Sequence, residues 1–218
     1  MIVGVSDMYW YFVRHGETKW NKERLFQGAT DVPLDDSGRN QALEAGDRIK
    51  AKGITFKKVY TSPLDRAIET AELITGTPRS EFVVDQRIKE MFFGELEGTD
   101  YDIVKAREKD LFEEPQRYVN CEPIKGVETY DSIVGRAGDF ISFLKEKEKE
   151  FGPDDNILVQ THGACMRALL INLRGCSLSD FWKIKVGNCE FFCFECKGGE
   201  LSEVDVAELN ESVAGGLV

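Results

Sequence analysis

The stretch YFVRHGETKWN, residues 11–21, ends a run of bulky strand-forming side chains abruptly in an arginine, a histidine and a glycine. Aromatic and β-branched residues up to Val13 predict a buried strand. Arg14 and His15 would then stand at the carboxyl end of that strand, where ligands of parallel sheets usually bind. This strand end is therefore a candidate functional site.

Two further stretches have the same form, KKVYTS around Val59 and NILVQTHG from Asn156. Each is a short run of apolar residues that ends in polar ones, which is typical of a buried strand. Residues 188–206 read NCEFFCFECKGGELSEVDV, two strand-like runs joined through KGGE, and predict a hairpin. Part of the sheet is therefore expected to be antiparallel.

Helical patterns lie between these strands. The first starts at Asp36 and stops at Gly53, and the second runs from Ser62, the expected N-cap, to a C-cap at Gly76. A third helix is predicted over residues 129–151. The alternation of strands and helices predicts an α/β fold, a three-layer sandwich in which helices flank a mainly parallel central sheet.

Length and composition predict a single domain over residues 1–218, since 42% of the 218 residues are hydrophobic. Only residues 99–126 fail to fit the alternation, and we interpret them as an insertion that covers the active site. No apolar run approaches the roughly 20 residues of a membrane helix. The start also lacks the pattern of a secretory signal. A cytoplasmic protein without a membrane partner is expected.

Charge and cysteine spacing exclude several classes of function. The formal net charge of −11 would repel the phosphate backbone of nucleic acids, so no nucleic-acid partner is expected. The six cysteines show no disulfide framework and are expected to be reduced. Cys189, Cys193 and Cys196 lack the paired spacing of a zinc site, and a strand would place the last two on opposite faces. Neither glycine-rich nucleotide motif is present, which argues against kinases and dehydrogenases.

His15 and His162 are the only histidines, and each follows a strand and precedes a glycine. One such histidine would be read as structural, but two at equivalent positions favour a shared function. A neutral imidazole is a good nucleophile towards phosphorus. Arg14 and Arg66 offer donors that match phosphate oxygens, and Arg66 is expected in the first turn of a helix. The alternative for the arginines is surface salt bridging, which does not explain their place beside the histidines. These residues predict an anion pocket suited to phosphoryl chemistry.

Five blocks of sequence occur in order and span most of the chain: VRHGETKWN, FQGATDVPLDDSGRNQA, VYTSPLDRAIETAELI, IKEMFFGELEG and VQTHGACMRALL. Together they resemble the phosphoglycerate-mutase-like branch of the histidine phosphatase superfamily. Five ordered blocks are far more specific than a single RHG would be.

The resemblance implies that His15 is the nucleophile that becomes phosphorylated and that Glu90 is the general acid. Three side chains would hold the transferring phosphoryl group: Arg14, Arg66 and His162. Three further residues would line the same pocket: Asn21, Gln27 and Gly28. One departure is Ala164, where the family usually has a second glycine after its later histidine. Alanine is small, so little consequence is expected.

Within the family the choice is between phosphatase and mutase. A mutase must exclude water and bind a bisphosphate, which calls for extra basic residues in the insertion. Residues 99–130 instead hold eight acidic and five basic residues, a net charge of −3. The adjacent arginine pair of the mutases is missing, and GVETYDS looks like the corresponding segment of the phosphatase subgroup.

We therefore expect a phosphomonoester hydrolase for a small phosphorylated metabolite, with neither a metal nor a cofactor. A cofactor-dependent phosphoglycerate mutase and an inactive phospholigand-binding protein are the alternatives. The sequence decides neither the substrate nor the oligomeric state.

The segment KEMFFGELEG offers three carboxylic acids to protonate a leaving group. Glu90 is followed by apolar MFF, whose burial would favour the neutral acid. Glu95 and Glu97 lie among glycines and are expected to be more exposed. Glu90 is therefore the expected acid, and the alternative is that it only pairs with an arginine.

Overall fold

The computed structural model describes residues 8–118, 124–152 and 155–211. Within them, six strands form one sheet: β1 Met8–Arg14, β2 Phe56–Thr61, β3 Val83–Val84, β4 Asn156–Thr161, β5 Phe191–Lys197 and β6 Glu200–Val204. The strand order is β3-β2-β4-β1-β5-β6. The first four of these strands pair in parallel, while β5 runs antiparallel to both β1 and β6. The predicted α/β fold with a mainly parallel sheet is confirmed, and so is the hairpin.

The described α-helices are α1 Lys19–Lys22, α2 Asp36–Ala51, α3 Asp65–Thr75, α4 Tyr101–Arg107, α5 Lys109–Glu113, α6 Tyr130–Lys147 and α7 Gly163–Arg174. Short 3-10 turns lie between them: Arg79–Glu81, Gln86–Ile88, Gly94–Leu96, Pro115–Tyr118, Glu148–Glu150, Leu178–Lys183 and Ala207–Leu209. Helices α2 and α3 bury their apolar residues against one face of the sheet, and α6 and α7 bury theirs against the other. None of the described helices is long and apolar enough to cross a bilayer.

The alternation of side chains along β1 explains the two buried layers. Trp10 and Phe12 belong to the core cluster on the α6 and α7 side, whereas Tyr11 and Val13 belong to the cluster on the α2 and α3 side. Successive side chains of a strand point to opposite faces, so a strand buried on both faces must be apolar throughout. The same rule places Cys193 and Cys196 of β5 in different clusters, as predicted.

The start of α3 differs from the prediction. Leu64 is the N-cap residue, with extended dihedral angles, and Ser62 lies two residues earlier. The carboxylate of Asp31 accepts the backbone N–H groups of Asp65 and Arg66, at 2.5 and 3.5 Å. A residue distant in sequence therefore caps this helix, and the prediction of Ser62 as N-cap was wrong.

Helix α6 begins after its N-cap Thr129, as expected, but ends at Lys147, where a single 3-10 turn follows. Residues 101–118 of the interpreted insertion form α4, α5 and one 3-10 turn, while residues 119–123 lie outside the described part of the chain. Its rings pack against Phe26, with centroid distances of 5.3 Å for Tyr101 and 6.2 Å for Phe112. The segment therefore packs beside the carboxyl edge of the sheet.

Two helical glycines give a matched test of this packing. A β-carbon on Gly46 of α2 would lie 2.7 Å from the carbonyl oxygen of Ile74 in α3, whereas one on Gly135 of α6 would meet nothing within 4 Å. We expect Gly46→Ala to lower the free energy of unfolding by about 1–3 kcal/mol through overpacking. Gly135→Ala should raise it by about 0.5–1 kcal/mol, because alanine loses less backbone entropy. Urea denaturation measures both, and equal signs would contradict the close contact between α2 and α3.

Candidate active site

The ends of three parallel strands bring the sequence-predicted residues together. Arg14 is the last residue of β1, His15 follows it, and His162 directly follows β4 as the N-cap residue of α7. The two imidazole rings lie 5.1 Å apart between centroids, inclined at 59°. Arg66 lies in the first turn of α3, after β2. Because β1, β2 and β4 are parallel, their carboxyl ends form one edge, and this edge carries the site.

The ring of His15 is held in one orientation and is almost completely buried. Its Nδ1 lies 2.7 Å from the carbonyl oxygen of Gly16. A carbonyl can only accept, so Nδ1 carries the hydrogen and Nε2 carries the lone pair. Burial and the positive charges of Arg66 and Arg14 hold the pKa of His15 well below its ordinary value of 6.5. The geometry thus provides a neutral imidazole with a free Nε2.

His162 is the second neutral imidazole. Its Nε2 lies 2.6 Å from the hydroxyl oxygen of Ser62, and its Nδ1 has no hydrogen-bond partner among the described residues. Burial lowers the pKa of His162 well below 6.5, and the charges of Arg66 and Arg14 lower it further. The side chain of Ser62 therefore bonds to His162 and also accepts the backbone N–H of Leu64, the N-cap residue of α3, at 3.3 Å.

Arg14 and Arg66 are buried guanidinium groups, each with an Nε that has no hydrogen-bond partner among the described residues. Arg14 donates from Nη1 to the carbonyl of Val186 at 2.8 Å, and burial, followed by the charge of Arg167, lowers its pKa to about 10. Arg66 donates to the carbonyls of Thr30 and Gly28 at 2.9 and 2.8 Å. The Nε atoms of both arginines are buried and have no partner among the described residues. A buried donor left unpaired costs about 1–3 kcal/mol, so these groups favour an anionic ligand.

Glu90 is buried and anchored by backbone donors. Its Oε1 accepts from the N–H groups of Met91 at 2.8 Å and Cys165 at 2.9 Å, while Oε2 accepts from Ala164 at 3.2 Å. Two of these donors belong to the first turn of α7, which also favours a negative charge. These three bonds fix the position of the carboxyl group, and Oε2, with one bond, is the freer of its two oxygens.

The three predicted lining residues fall in different places. Asn21 and Gln27 lie along the pocket, and the Oε1 atom of Gln27 accepts from the hydroxyl of Thr18 at 2.5 Å. Gly28 does not line it, and its carbonyl instead accepts from Arg66. A β-carbon on Gly28 would lie 2.4 Å from a carboxylate oxygen of Glu97, which explains the glycine.

Glu97 is half-buried and thus more exposed than Glu90, as predicted, but its carboxylate is held by several hydrogen bonds. Its carboxylate accepts from the backbone N–H groups of Ala29 and Phe93 and from both the N–H and the hydroxyl of Thr30. Burial would raise the pKa of Glu97, but these bonds outweigh it and lower the pKa. Glu95 is exposed, as predicted, and pairs with Lys125 at 3.4 Å. Glu97 thus ties the loop of Gly28 to the segment of Glu90.

Sequence reasoning missed two buried polar residues of this site. Arg167 lies along the pocket on α7, and its signal was a single charge within the apolar run ACMRALLI. Asn188 donates from its amide to the carbonyl of His15 at 2.8 Å, and nothing local in the sequence marks it. Ala164 also lines the pocket. In the described ranges, no group of three or more histidine, cysteine, aspartate or glutamate residues could hold a metal ion.

Comparison with known proteins agrees with this geometry. Residues 10–208 match the sequence profile of the histidine phosphatase superfamily, branch 1. A protein of Hydrogenobacter thermophilus named "Putative phosphoserine phosphatase 2" is 31% identical over 82% of this chain and 84% of its own length. A 2,3-bisphosphoglycerate-dependent phosphoglycerate mutase of Parvibaculum lavamentivorans is 34% identical, over 74% and 77%. The crystal structure of a phosphoserine phosphatase mutant of Entamoeba histolytica, in complex with phosphoserine, is 25% identical with a TM-score of 0.76, and the match covers 91% of this chain and 95% of that one.

Proposed function

The chain belongs to the histidine phosphatase superfamily, branch 1, and we propose that it is a phosphomonoester hydrolase that acts on a small phosphorylated metabolite. One observation carries the proposal. The neutral His15 has a free Nε2 at the strand edge where three buried nitrogens lack partners among the described residues: Arg14 Nε, Arg66 Nε and His162 Nδ1. The two guanidinium groups are donors that match the oxygens of a phosphoryl group next to a nucleophile.

In the first step, Nε2 of His15 attacks phosphorus and forms a P–N bond while the bond from phosphorus to the leaving oxygen breaks. Arg14, Arg66 and His162 donate to the remaining phosphoryl oxygens and stabilise the charge that they gain in the transition state. The hydrogen bond from Nδ1 to the Gly16 carbonyl stabilises the positive charge that develops on the imidazole. The cationic donors do this without a metal or a cofactor.

Glu90 supplies the proton that an alkoxide leaving group needs. It lies along the pocket, and Oε2 is the freer of its two carboxyl oxygens. In the second step, the resulting carboxylate takes a proton from water, the oxygen of that water attacks phosphorus, and the P–N bond breaks. Phosphate leaves, His15 returns to its neutral form and Glu90 is protonated again.

A mutase is the second candidate, because phosphoglycerate mutases stand among the relatives. The charges of the insertion argue against a mutase. Three of its five bases form ion pairs within or beside the segment: Arg107 with Glu108, Arg117 with Asp110, and Lys125 with Glu95. Of the described residues 99–118 and 124–126, Tyr101 lies along the pocket and no base does. A bisphosphate would find little extra positive charge in that segment.

Two further observations bear on the substrate and the setting. The relatives that carry the name phosphoserine phosphatase support a small phosphorylated compound as substrate. The cysteine spacing shows no disulfide framework, and we propose a reducing compartment such as the cytoplasm.

A trapping experiment tests the proposed intermediate. We expect brief incubation with a phosphomonoester such as p-nitrophenyl phosphate, in excess chelator, to leave an acid-labile phosphoryl group on His15. His15→Ala should carry no label and release no phosphate. Label that persists on His15→Ala protein, or turnover that stops until a divalent metal is restored, would refute the mechanism. Failure to release phosphate from any monoester would favour the inactive phospholigand-binding alternative.

The role of Glu90 is tested by comparing leaving groups. Glu90→Gln should slow hydrolysis of alkyl phosphates by about 10²- to 10⁴-fold, the usual contribution of a general acid. Aryl phosphates should lose much less, because a phenolate departs without a proton. Glu95→Gln, on the exposed side of the same segment, is the control and should change neither rate. Equal losses on both substrate types would assign Glu90 a positioning role instead.

A further inference from the structure

Glu90, the acid of the proposed reaction, lies in backbone that is neither helix nor strand. Residues 89–92 separate the 3-10 turn Gln86–Ile88 from the 3-10 turn Gly94–Leu96. Such backbone lacks the regular hydrogen bonds by which a helix or a sheet fixes its own groups, so those groups need partners elsewhere. The place of the Glu90 carboxyl group therefore depends on side chains from other elements that bind this stretch.

Arg136 of α6 binds the backbone just before Glu90. Its Nη1 donates to the carbonyls of Arg87 and Lys89, at 2.7 and 2.6 Å. The same nitrogen lies 3.8 Å from the sulfur of Cys165, whose backbone N–H donates to Oε1 of Glu90 at 2.9 Å. One nitrogen of Arg136 thus contacts both the backbone that leads into Glu90 and a residue that anchors its carboxyl group.

Glu128 binds the backbone just after Glu90. Its Oε2 accepts the N–H of Phe92 at 3.2 Å, and its own N–H donates to the carbonyl of Phe92 at 2.8 Å. Two parallel bonds join Glu128 to Arg136, from Nε to Oε1 at 2.8 Å and from Nη2 to Oε2 at 3.0 Å. The Arg136–Glu128 pair therefore spans the backbone from residue 87 to residue 92, with Glu90 inside the span.

The pair is enclosed and ionised. The side chains of Arg136 and Glu128 are only 19% and 13% exposed. Burial raises the pKa of Glu128, but the hydrogen bonds and the charge of Arg136 outweigh it and hold that pKa below its ordinary value. Charge-assisted bidentate bonds are strong and directional. A lysine at position 136 would keep the charge but lose the planar fork that makes these bonds.

We propose that Arg136 and Glu128 are positioning residues, which hold residues 87–92 so that the carboxyl group of Glu90 faces the leaving oxygen of the substrate. Neither side chain lies along the pocket, so both act through Glu90 rather than on the substrate. This assignment rests on the proposed function, because it presupposes that Glu90 gives a proton to the leaving group. The competing explanation is that the pair only stabilises the fold.

Rates on two classes of ester separate positioning from stability. We expect Arg136→Lys to lower kcat for an alkyl phosphate, glycerol 3-phosphate, by about 10- to 100-fold, the cost of a small misplacement of a catalytic group. The kcat for p-nitrophenyl phosphate should change little, because nitrophenolate departs without a proton. KM should change little for either ester, since the phosphate site is intact. The ratio of the two rates on one preparation does not depend on the folded fraction, so lost stability alone leaves it unchanged.

A double variant tests whether Arg136 acts through Glu90. If it does, protein with both Arg136→Lys and Glu90→Gln should hydrolyse the alkyl phosphate no more slowly than Glu90→Gln alone, because the group to be positioned is already gone. Two independent effects would instead multiply, and a double variant slowed by the product of the single losses would refute the positioning role.

Arg174→Lys is the matched control, since Arg174 makes a bidentate pair with Glu203 away from Glu90. It should leave the ratio of the two rates unchanged. Equal losses on both esters with Arg136→Lys would overturn the proposal. If Arg136→Lys does not fold, Glu128→Gln is measured by the same ratio, and an unaltered ratio then decides against the pair. The proposed function fails separately, if the unaltered protein releases no phosphate from either ester.

Discussion

The burial of guanidinium groups beside two histidines is the constraint on which the rest of the site depends. Arg14, Arg66 and Arg167 are all at least nine-tenths buried, and of these only Arg66 has a described carboxylate within ion-pair distance, Asp31 at 3.3 Å. Burial lowers the pKa of both His15 and His162, and the positive charge of the arginines lowers it further. The same charge attracts a phosphate. One arrangement therefore keeps the nucleophile neutral and selects its anionic substrate.

Backbone contacts at the carboxyl edge of the sheet fix the residues of the site in place. Gly16 approaches the backbone of Gly38 so closely that a β-carbon would lie 2.4 Å from its carbonyl oxygen. That contact holds the turn after β1 against the start of α2. Asp31 caps α3 and also pairs with Arg66. The first turn of α7 binds Glu90. The ends of helices and strands thus position the residues of the site. The two buried apolar layers support these elements through packing.

Much of this could be predicted from local sequence. The signals were local: apolar runs, glycine stops and polar residues directly after each strand. They predicted the sheet and the proximity of His15 and His162. What local sequence could not predict has a common cause. Asp31 rather than Ser62 caps α3, and Glu97 bonds to the loop of Gly28, through contacts between residues far apart along the chain. Asn188 could not be found for the same reason, since its partner is the backbone of His15.

The protonation state of the two histidines tests this account most directly. With only two histidines in the chain, nitrogen NMR of the imidazoles can follow both from about pH 8 to about pH 5, the range in which histidine ordinarily titrates. A lowered pKa means that each ring stays neutral until the pH falls well below 6.5, and His15 should carry its hydrogen on Nδ1 throughout. A midpoint at or above 6.5 for either ring, or a hydrogen on Nε2 of neutral His15, would contradict the account.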